Sequence, residues 1–283
     1  MPSFGILTGP QQVNYSDLLH VWQEADGIPA IEHVWLFDHL LPIGGPLDGP
    51  IFEGWTLLSA LAALTQRIRV GMLVTSNRFR PPAMLAKIAA TVDVVSDGRL
   101  DFGIGAGSNP RIPIARREYE ANGLPYNSFG QSVDALAEAC EVITRLWTED
   151  EPFDFAGEHV ALTGALGNPK PVQRPHPPLL IGGRSKATLR VVAEHADIWN
   201  IPGGDIKEMV ERNALLDELC DEVGRDPASI VRSVALPVSY AQPSETRAAI
   251  AEAVDAGFAH VVLILPVPFP EHAALWVADN IIR

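Results

Sequence analysis

The residues of this chain that are equipped for chemistry stand where apolar runs end. The first group is Phe37-Asp38-His39, an ionisable pair at the exit of the apolar segment His33–Phe37. A histidine there exchanges a proton near neutral pH, and the adjacent carboxylate holds its tautomer or caps a nearby loop. The alternative is a buried polar pair that secures the loop. In Phe52-Glu53-Gly54-Trp55, Glu53 is suited to cap backbone amides and Trp55 to wall a substrate pocket. After Met72-Leu73-Val74 the chain turns to Thr75-Ser76-Asn77, small hydrogen-bonding residues that suit the polar edge of a ring, or simply a polar strand-to-helix turn.

Two glycine-rich loops complete the set. Gly103-Ile104-Gly105-Ala106-Gly107-Ser108-Asn109 lets a ligand approach main-chain atoms closely. It is not a dinucleotide fingerprint, because Arg111-Ile112-Pro113 interrupts where a phosphate-binding helix should begin. Ile181-Gly182-Gly183-Arg184-Ser185 is the better anion site: glycines and free helix amides favour a phosphate, and Arg184 adds charge, although Arg184 and Lys186 also read as surface charges. No HxH or HExxH spacing is present, so no metal is expected, and His20, His195 and His272 read as helix residues with packing or exposed roles. No GxSxG elbow argues for serine hydrolysis. Cys140 and Cys220 lie in amphipathic segments and read as buried free thiols.

These groups need elements to position them. Apolar runs of strand length alternate with helical segments, the pattern of βα units around a parallel sheet. Eight strands are predicted, roughly Ser3–Leu7, His33–Phe37, Arg69–Val74, Leu100–Ile104, Leu179–Ile181, Ala196–Trp199, Ile230–Pro237 and His260–Leu265. Eight units suit closure into an α/β fold of the (β/α)8 TIM-barrel type, one domain over residues 1–283, with an extended loop and helix insertion after the fourth strand. That insertion includes a long helix from about Ser128 to Trp147. In such a barrel the loops after the strand C-termini build the active site, which is where the groups above fall.

Apolar residues make up 47% and charged residues 20%, enough for one buried core. A net charge of −14 repels phosphodiester backbones, so nucleic acid is not an expected partner. The first residues lack a basic n-region and long apolar h-region, and no stretch reaches the length of a membrane span, so a cytoplasmic location without membrane attachment is expected.

Taken together, the residues resemble the bacterial luciferase-like monooxygenase superfamily, and most of all its branch that uses the deazaflavin coenzyme F420. The likeness runs along nearly the whole chain, through Trp35-Leu36-Phe37-Asp38-His39, the segment from Lys87 to Leu100, Gly103 to Gly107, Asn168-Pro169-Lys170-Pro171-Val172-Gln173, Ile181-Gly182-Gly183 and Ala196-Asp197-Ile198-Trp199-Asn200. The resemblance implies a TIM barrel with the cofactor ring at the strand C-termini against a bulge containing a non-proline cis peptide, placed at Val74-Thr75 to within one bond. It implies that Asp38 and His39 act at the ring's reactive edge, and that Val74, Thr75, Ser76, Asn77, Ala106, Gly107 and Asn109 line the ring. It assigns the cofactor phosphate to Gly182, Gly183 and Arg184. The expected activity is hydride transfer between F420 and a small organic substrate, with FMN-dependent oxygenation or a non-catalytic cofactor-binding barrel as alternatives. Family habit implies a homodimer, with a flavin or F420 reductase as a partner. The chain departs from its relatives where Gly107 is followed by Ser108-Asn109 instead of tryptophan or glutamate, which turns attention to His39 for proton transfer. Arg78, Arg80, Arg111, Arg116, Arg117 and Arg184 are expected to supply positive charge around the mouth.

Overall fold

The computed structural model describes residues 2–108, 111–125 and 128–283. In chain order the elements are β1 (Ser3–Thr8), α1 (Tyr15–Asp26), β2 (His33–Leu36), α2 (Gly54–Ala63), β3 (Arg69–Met72), β4 (Thr75–Ser76), α3 (Pro82–Val95), β5 (Leu100–Gly105), α4 (Pro113–Ala121), α5 (Phe129–Thr148), β6 (Phe153–Ala156), β7 (Ala161–Ala165), β8 (Leu179–Gly182), α6 (Lys186–His195), β9 (Ile198–Pro202), α7 (Ile206–Glu222), β10 (Val231–Pro237), α8 (Pro243–Asp255), β11 (His260–Leu265) and α9 (Ala273–Val277). Strands pair in the order β3-β2-β1-β11-β10-β9-β8-β5-β4, and a β3–β5 pairing closes the ring. With β3 and β4 forming one stave interrupted at Leu73-Val74, this is the closed eight-strand parallel barrel expected from the alternating pattern. Among the described residues no helix is long and apolar enough to cross a membrane.

Helices pack on the barrel by ordinary amphipathic spacing. In α1 the buried residues are Leu18, Val21, Trp22 and Ala25, one stripe of a helix, and the Trp22 indole donates to Thr8 Oγ1 at 2.9 Å. The long helix of the insertion starts at the expected place because Ser128 and Gln131 form a reciprocal capping box. The insertion also contains an antiparallel hairpin, β6–β7, that the sequence reading missed. Its strands alternate poorly and are largely exposed, so periodicity gave little signal. The buried Asp93 carboxylate brings the chain back to the barrel by accepting from the amides of Val172 and Gln173 and from the Gln173 side chain.

Inside the barrel the lower layer is polar. His33 and His260 stack with ring centroids 4.0 Å apart, the Trp35 indole donates to His33 Nδ1 at 2.6 Å, and Ser233 Oγ lies 2.8 Å from His260 Nδ1. Asn200 Nδ2 extends the chain by donating to Ser233 Oγ at 2.8 Å. Room for the imidazoles comes from Gly5, where a Cβ would lie 1.8 Å from His33 Nδ1. Burial, then the charge of His260 and of Arg69, holds His33 well below the ordinary imidazole value; burial takes His260 to about 4.

The sign of the resulting pH effect is set by the unfolded chain, which takes up these protons near pH 6.5 while the folded barrel resists. Stability is therefore complete above about pH 6.5 and falls as pH drops toward about 4, by on the order of 3 kcal/mol for His260. Urea unfolding at a series of pH values should show this slope, and His260→Asn should flatten it; an unchanged slope in the variant would remove His260 as its source.

Candidate active site

The C-terminal rim of the barrel carries two adjoining cavities. The larger, about 590 Å³, is walled by Leu7, Phe37, Ile43, Leu73, Val74, Gly182, Gly183, Pro202, Ala235 and the stretch Ile264–Val267, with polar side chains only from Gln11, His39 and Asn200. The smaller, about 280 Å³, is bounded by Asp38, His39, Val74, Ser76, Phe79 and the loop Gly105–Ser108. Phe37, His39, Leu73, Val74 and Gly182 belong to both, so the ridge between the cavities is the interruption of the third stave. The peptide bond Leu73-Val74 is cis, one bond before the position that the resemblance implied.

Asp38 holds this ridge in place. Its side chain is fully buried; Oδ2 accepts from Thr75 Oγ1 at 2.5 Å and from Arg80 at 2.6 Å, while Oδ1 accepts from Arg80 at 3.2 Å. Thr75 Oγ1 in turn accepts from the Trp55 indole at 3.2 Å. Glu53 caps α2 through the Trp55 and Thr56 amides and also pairs with Arg80. Burial alone would lower the Arg80 guanidinium, but hydrogen bonding and charge from Asp38, then Glu53, outweigh it and raise it above its ordinary value. Burial would raise the Glu53 carboxyl, yet the bonds to Thr56 and the Arg80 charge bring it below the usual range.

His39 is held from the other side by a residue that the sequence reading did not single out. Glu118 on α4 is 1% exposed and places its oxygens 3.0 and 3.1 Å from His39 Nδ1. The same carboxylate accepts from the Leu40 amide at 2.5 Å and the Leu41 amide at 3.3 Å. With Nδ1 committed to Glu118, Nε2 is the polar atom left to the imidazole, which lines both cavities. A signal for Glu118 existed: Ala115, Glu118 and Tyr119 form the buried face of α4, and a carboxylate at an apolar helical spacing requires a partner. The spacing could not name that partner, 79 residues away.

Of the other residues singled out from sequence, Val74, Ser76, Ala106, Gly107, Gly182 and Gly183 border the cavities. Gly107 has φ +84°, and a Cβ there would meet the Tyr119 hydroxyl at 2.5 Å and Ser76 Oγ at 2.7 Å. Thr75, Trp55 and Glu53 lie one layer behind, in the Asp38 network. Asn77 is buried toward α5, donating to the Ser132 carbonyl at 3.4 Å. Arg184, 47% exposed, pairs with Glu208 at 3.2 Å. Asn109 lies outside the described residues. The arginines expected at the mouth have partners within the protein: Arg78 reaches Ser132 and the Pro125 carbonyl, Arg116 pairs with Glu120, and Arg117 donates to the Leu47 carbonyl.

Residues 5–279 match the family model described as luciferase-like monooxygenase. The chain belongs to that family. Among solved structures sharing its fold, an F420-dependent secondary alcohol dehydrogenase in complex with an F420-acetone adduct has a TM-score of 0.87 at 18% identity, covering 100% of this chain and 99% of that one. The coenzyme F420 dependent tetrahydromethanopterin reductase of Methanopyrus kandleri has 0.82 at 19%, covering 99% and 98%. Monooxygenase RslO1 of Streptomyces bottropensis has 0.78 at 21%, covering 98% of each chain. Uncharacterized proteins of Mycobacterium bovis and Mycobacterium tuberculosis are 33% identical over 180 residues, 63% of this chain. The matched stretch spans 58% of those relatives' length.

Removing the Asp38 carboxylate leaves Thr75 and the half-paired Arg80 inside the protein. Asp38→Ala should therefore lower the unfolding free energy by about 3 kcal/mol, and Glu53→Ala by about 1 kcal/mol through loss of the helix cap. Urea denaturation of both variants checks the ranking; equal and small losses would show that Asp38 does not secure the ridge.

Proposed function

We propose that this member of the luciferase-like family is an F420-dependent oxidoreductase acting on a small organic substrate, with His39 as the residue that handles the proton. The observation that carries the reading is a single imidazole, anchored through Nδ1 by the buried Glu118, on the wall of an apolar cavity at the catalytic rim of the barrel. Two of its structural neighbours are F420-dependent enzymes.

The residues present fit a flat ring system. The cavity is apolar on its faces, and Gln11, His39 and Asn200 are the polar side chains of its lining. In this reading Leu73 and Val74 support one face of the ring, Ser76, Ala106 and Gly107 border the adjoining cavity, and Thr75 and Asn77 fix the backbone that carries them. Gly182 and Gly183 lead to the N-terminus of α6, where main-chain amides favour an anion, and Arg184 adds a cation beside Glu208.

When bound, the deazaflavin supplies a ring carbon that donates or accepts hydride. The protein's own part is orientation and proton control. Glu118 accepts the Nδ1 proton and so fixes the tautomer, leaving Nε2 free to take a proton from a substrate hydroxyl or return one to a carbonyl. The apolar lining leaves Gln11 and Asn200 as the other polar side chains of that cavity. Asp38 keeps the ridge and the neighbouring backbone of His39 rigid, and acts on the reaction through that support.

A second reading, an FMN-dependent monooxygenase served by a separate reductase, is favoured by one feature. Arg80 and Arg184 are engaged by carboxylates, which leaves less cation for a polyanionic cofactor tail. Fluorescence titration with each cofactor separates the two: the proposal expects F420 to bind and FMN to bind at least tenfold more weakly. His39→Ala should retain F420 binding and lose at least 100-fold in the reduction or oxidation of F420 across a panel of alcohols and carbonyl compounds. Tight FMN binding without F420 binding would overturn the cofactor assignment, and a fully active His39→Ala would overturn the proton role.

A further inference from the structure

Outside the two cavities, three side chains with metal-ligand character meet at the seam between α1 and α9. His20 and Glu24 stand four residues apart on α1, hence on one face. His272 arrives from the loop after β11 and lies immediately before α9. One potential ligand atom from each lies within 4.8 Å of the other two, and this is the grouping of that kind among the described residues. We propose that His20, Glu24 and His272 bind a divalent transition-metal ion of the Zn2+ class, as a surface site separate from the barrel mouth.

The geometry is close to what such an ion needs. Glu24 Oε1 is 2.8 Å from His272 Nδ1, and the two imidazole rings have centroids 5.9 Å apart. Ligands at about 2.0–2.1 Å around a tetrahedral Zn2+ are separated by roughly 3.3 Å. Closing from 4.8 Å to that spacing takes rotation of exposed imidazoles, since His20 is exposed and His272 is 60% exposed.

Glu24 is already oriented as a ligand. Its Oε2 accepts from the amides of Ala274 at 2.8 Å and Leu275 at 3.2 Å, which fixes the carboxylate and turns Oε1 toward His272. Supporting hydrogen bonds of this sort are what hold first-row metal ligands in place. A purely structural role, capping α9 and pairing with His272, accounts for Glu24 and His272. It does not account for His20, which makes no hydrogen bond among the described residues and whose ring centroid lies 5.9 Å from that of His272.

Two imidazoles and one carboxylate select Zn2+, Co2+, Ni2+ or Cu2+ over Mg2+ and Ca2+, which prefer all-oxygen sets. Solvent fills the remaining position. Coordination through His272 Nδ1 requires its ring proton on Nε2, so that both neutral imidazoles serve as ligands. The ion would tie together residues 248 positions apart. It would also fasten the far end of a loop whose near end, Pro266 and Val267, lines the large cavity.

The test is a titration of tag-free, chelator-treated full-length protein with Zn2+ by calorimetry, and with Co2+ by visible absorption, which reports coordination directly. Wild type should take up one ion, with Mg2+ giving no response, and its Tm should rise with Zn2+. His272→Ala and His20→Ala should each bind at least tenfold more weakly. His20→Ala removes no hydrogen bond, so its fold is not at risk and it keeps the test decisive. No stoichiometric uptake by wild type, or equal affinity in His20→Ala, would overturn the site. Either result leaves the F420 reading untouched, because none of these residues borders the two cavities.

Discussion

The rim of this barrel depends on one buried carboxylate. Asp38 sits just after β2, with no solvent to satisfy its charge, and it finds its partners in Thr75 on the neighbouring stave and in Arg80 of the loop that follows it. Those bonds weld the exit of one strand to the interruption of the next, and the interruption is the ridge that divides the two cavities. An uncompensated charge at that depth is costly, so the pairing selects one arrangement of the loops around it. Trp55 and Glu53 extend the same network outward and brace it against α2.

His39 is thereby constrained from two directions. Its backbone follows Asp38, which is pinned inward, and its ring is gripped by Glu118, which also receives the next two backbone amides. Two separate carboxylates thus set the position and the hydrogen bonding of one imidazole, Asp38 through the backbone and Glu118 through Nδ1. Below this layer, the chain Asn200–Ser233–His260 with its stacked partner His33 fills the barrel with neutral polar groups. The floor of the cavity thus meets neutral imidazoles and hydroxyl and amide groups, while the Asp38–Arg80 and His39–Glu118 pairs lie at its rim.

The sequence was most legible where one periodicity governs many residues. All eight staves were readable because runs such as Phe102–Ile104 and Val261–Leu263 are buried on both faces and bounded by turns. Several of the family motifs prove to be architectural: Asp93 with Val172 and Gln173 returns the insertion to the barrel, and Asp38 supports the ridge. What stayed hidden were pairings made by tertiary closure. Glu118 looked like one acid in a charged helix, and only the fold sets it on His39. His20 and His272 carry no local metal spacing, because the turn of α1 sets His20 beside Glu24 and barrel closure brings His272 to both. The β6–β7 hairpin escaped because exposed strands leave no clean alternation.

In the proposed reading the ridge at Leu73-Val74 and the imidazole of His39 face one cofactor ring. A crystal structure of the protein with F420 tests it most directly. The expected complex has the ring against Val74, with His39 Nε2 within hydrogen-bond reach of the reacting edge and the phosphate end at the amides after Gly183. A ring bound away from Val74, or His39 turned from Glu118 and out of reach of the cofactor, would contradict it.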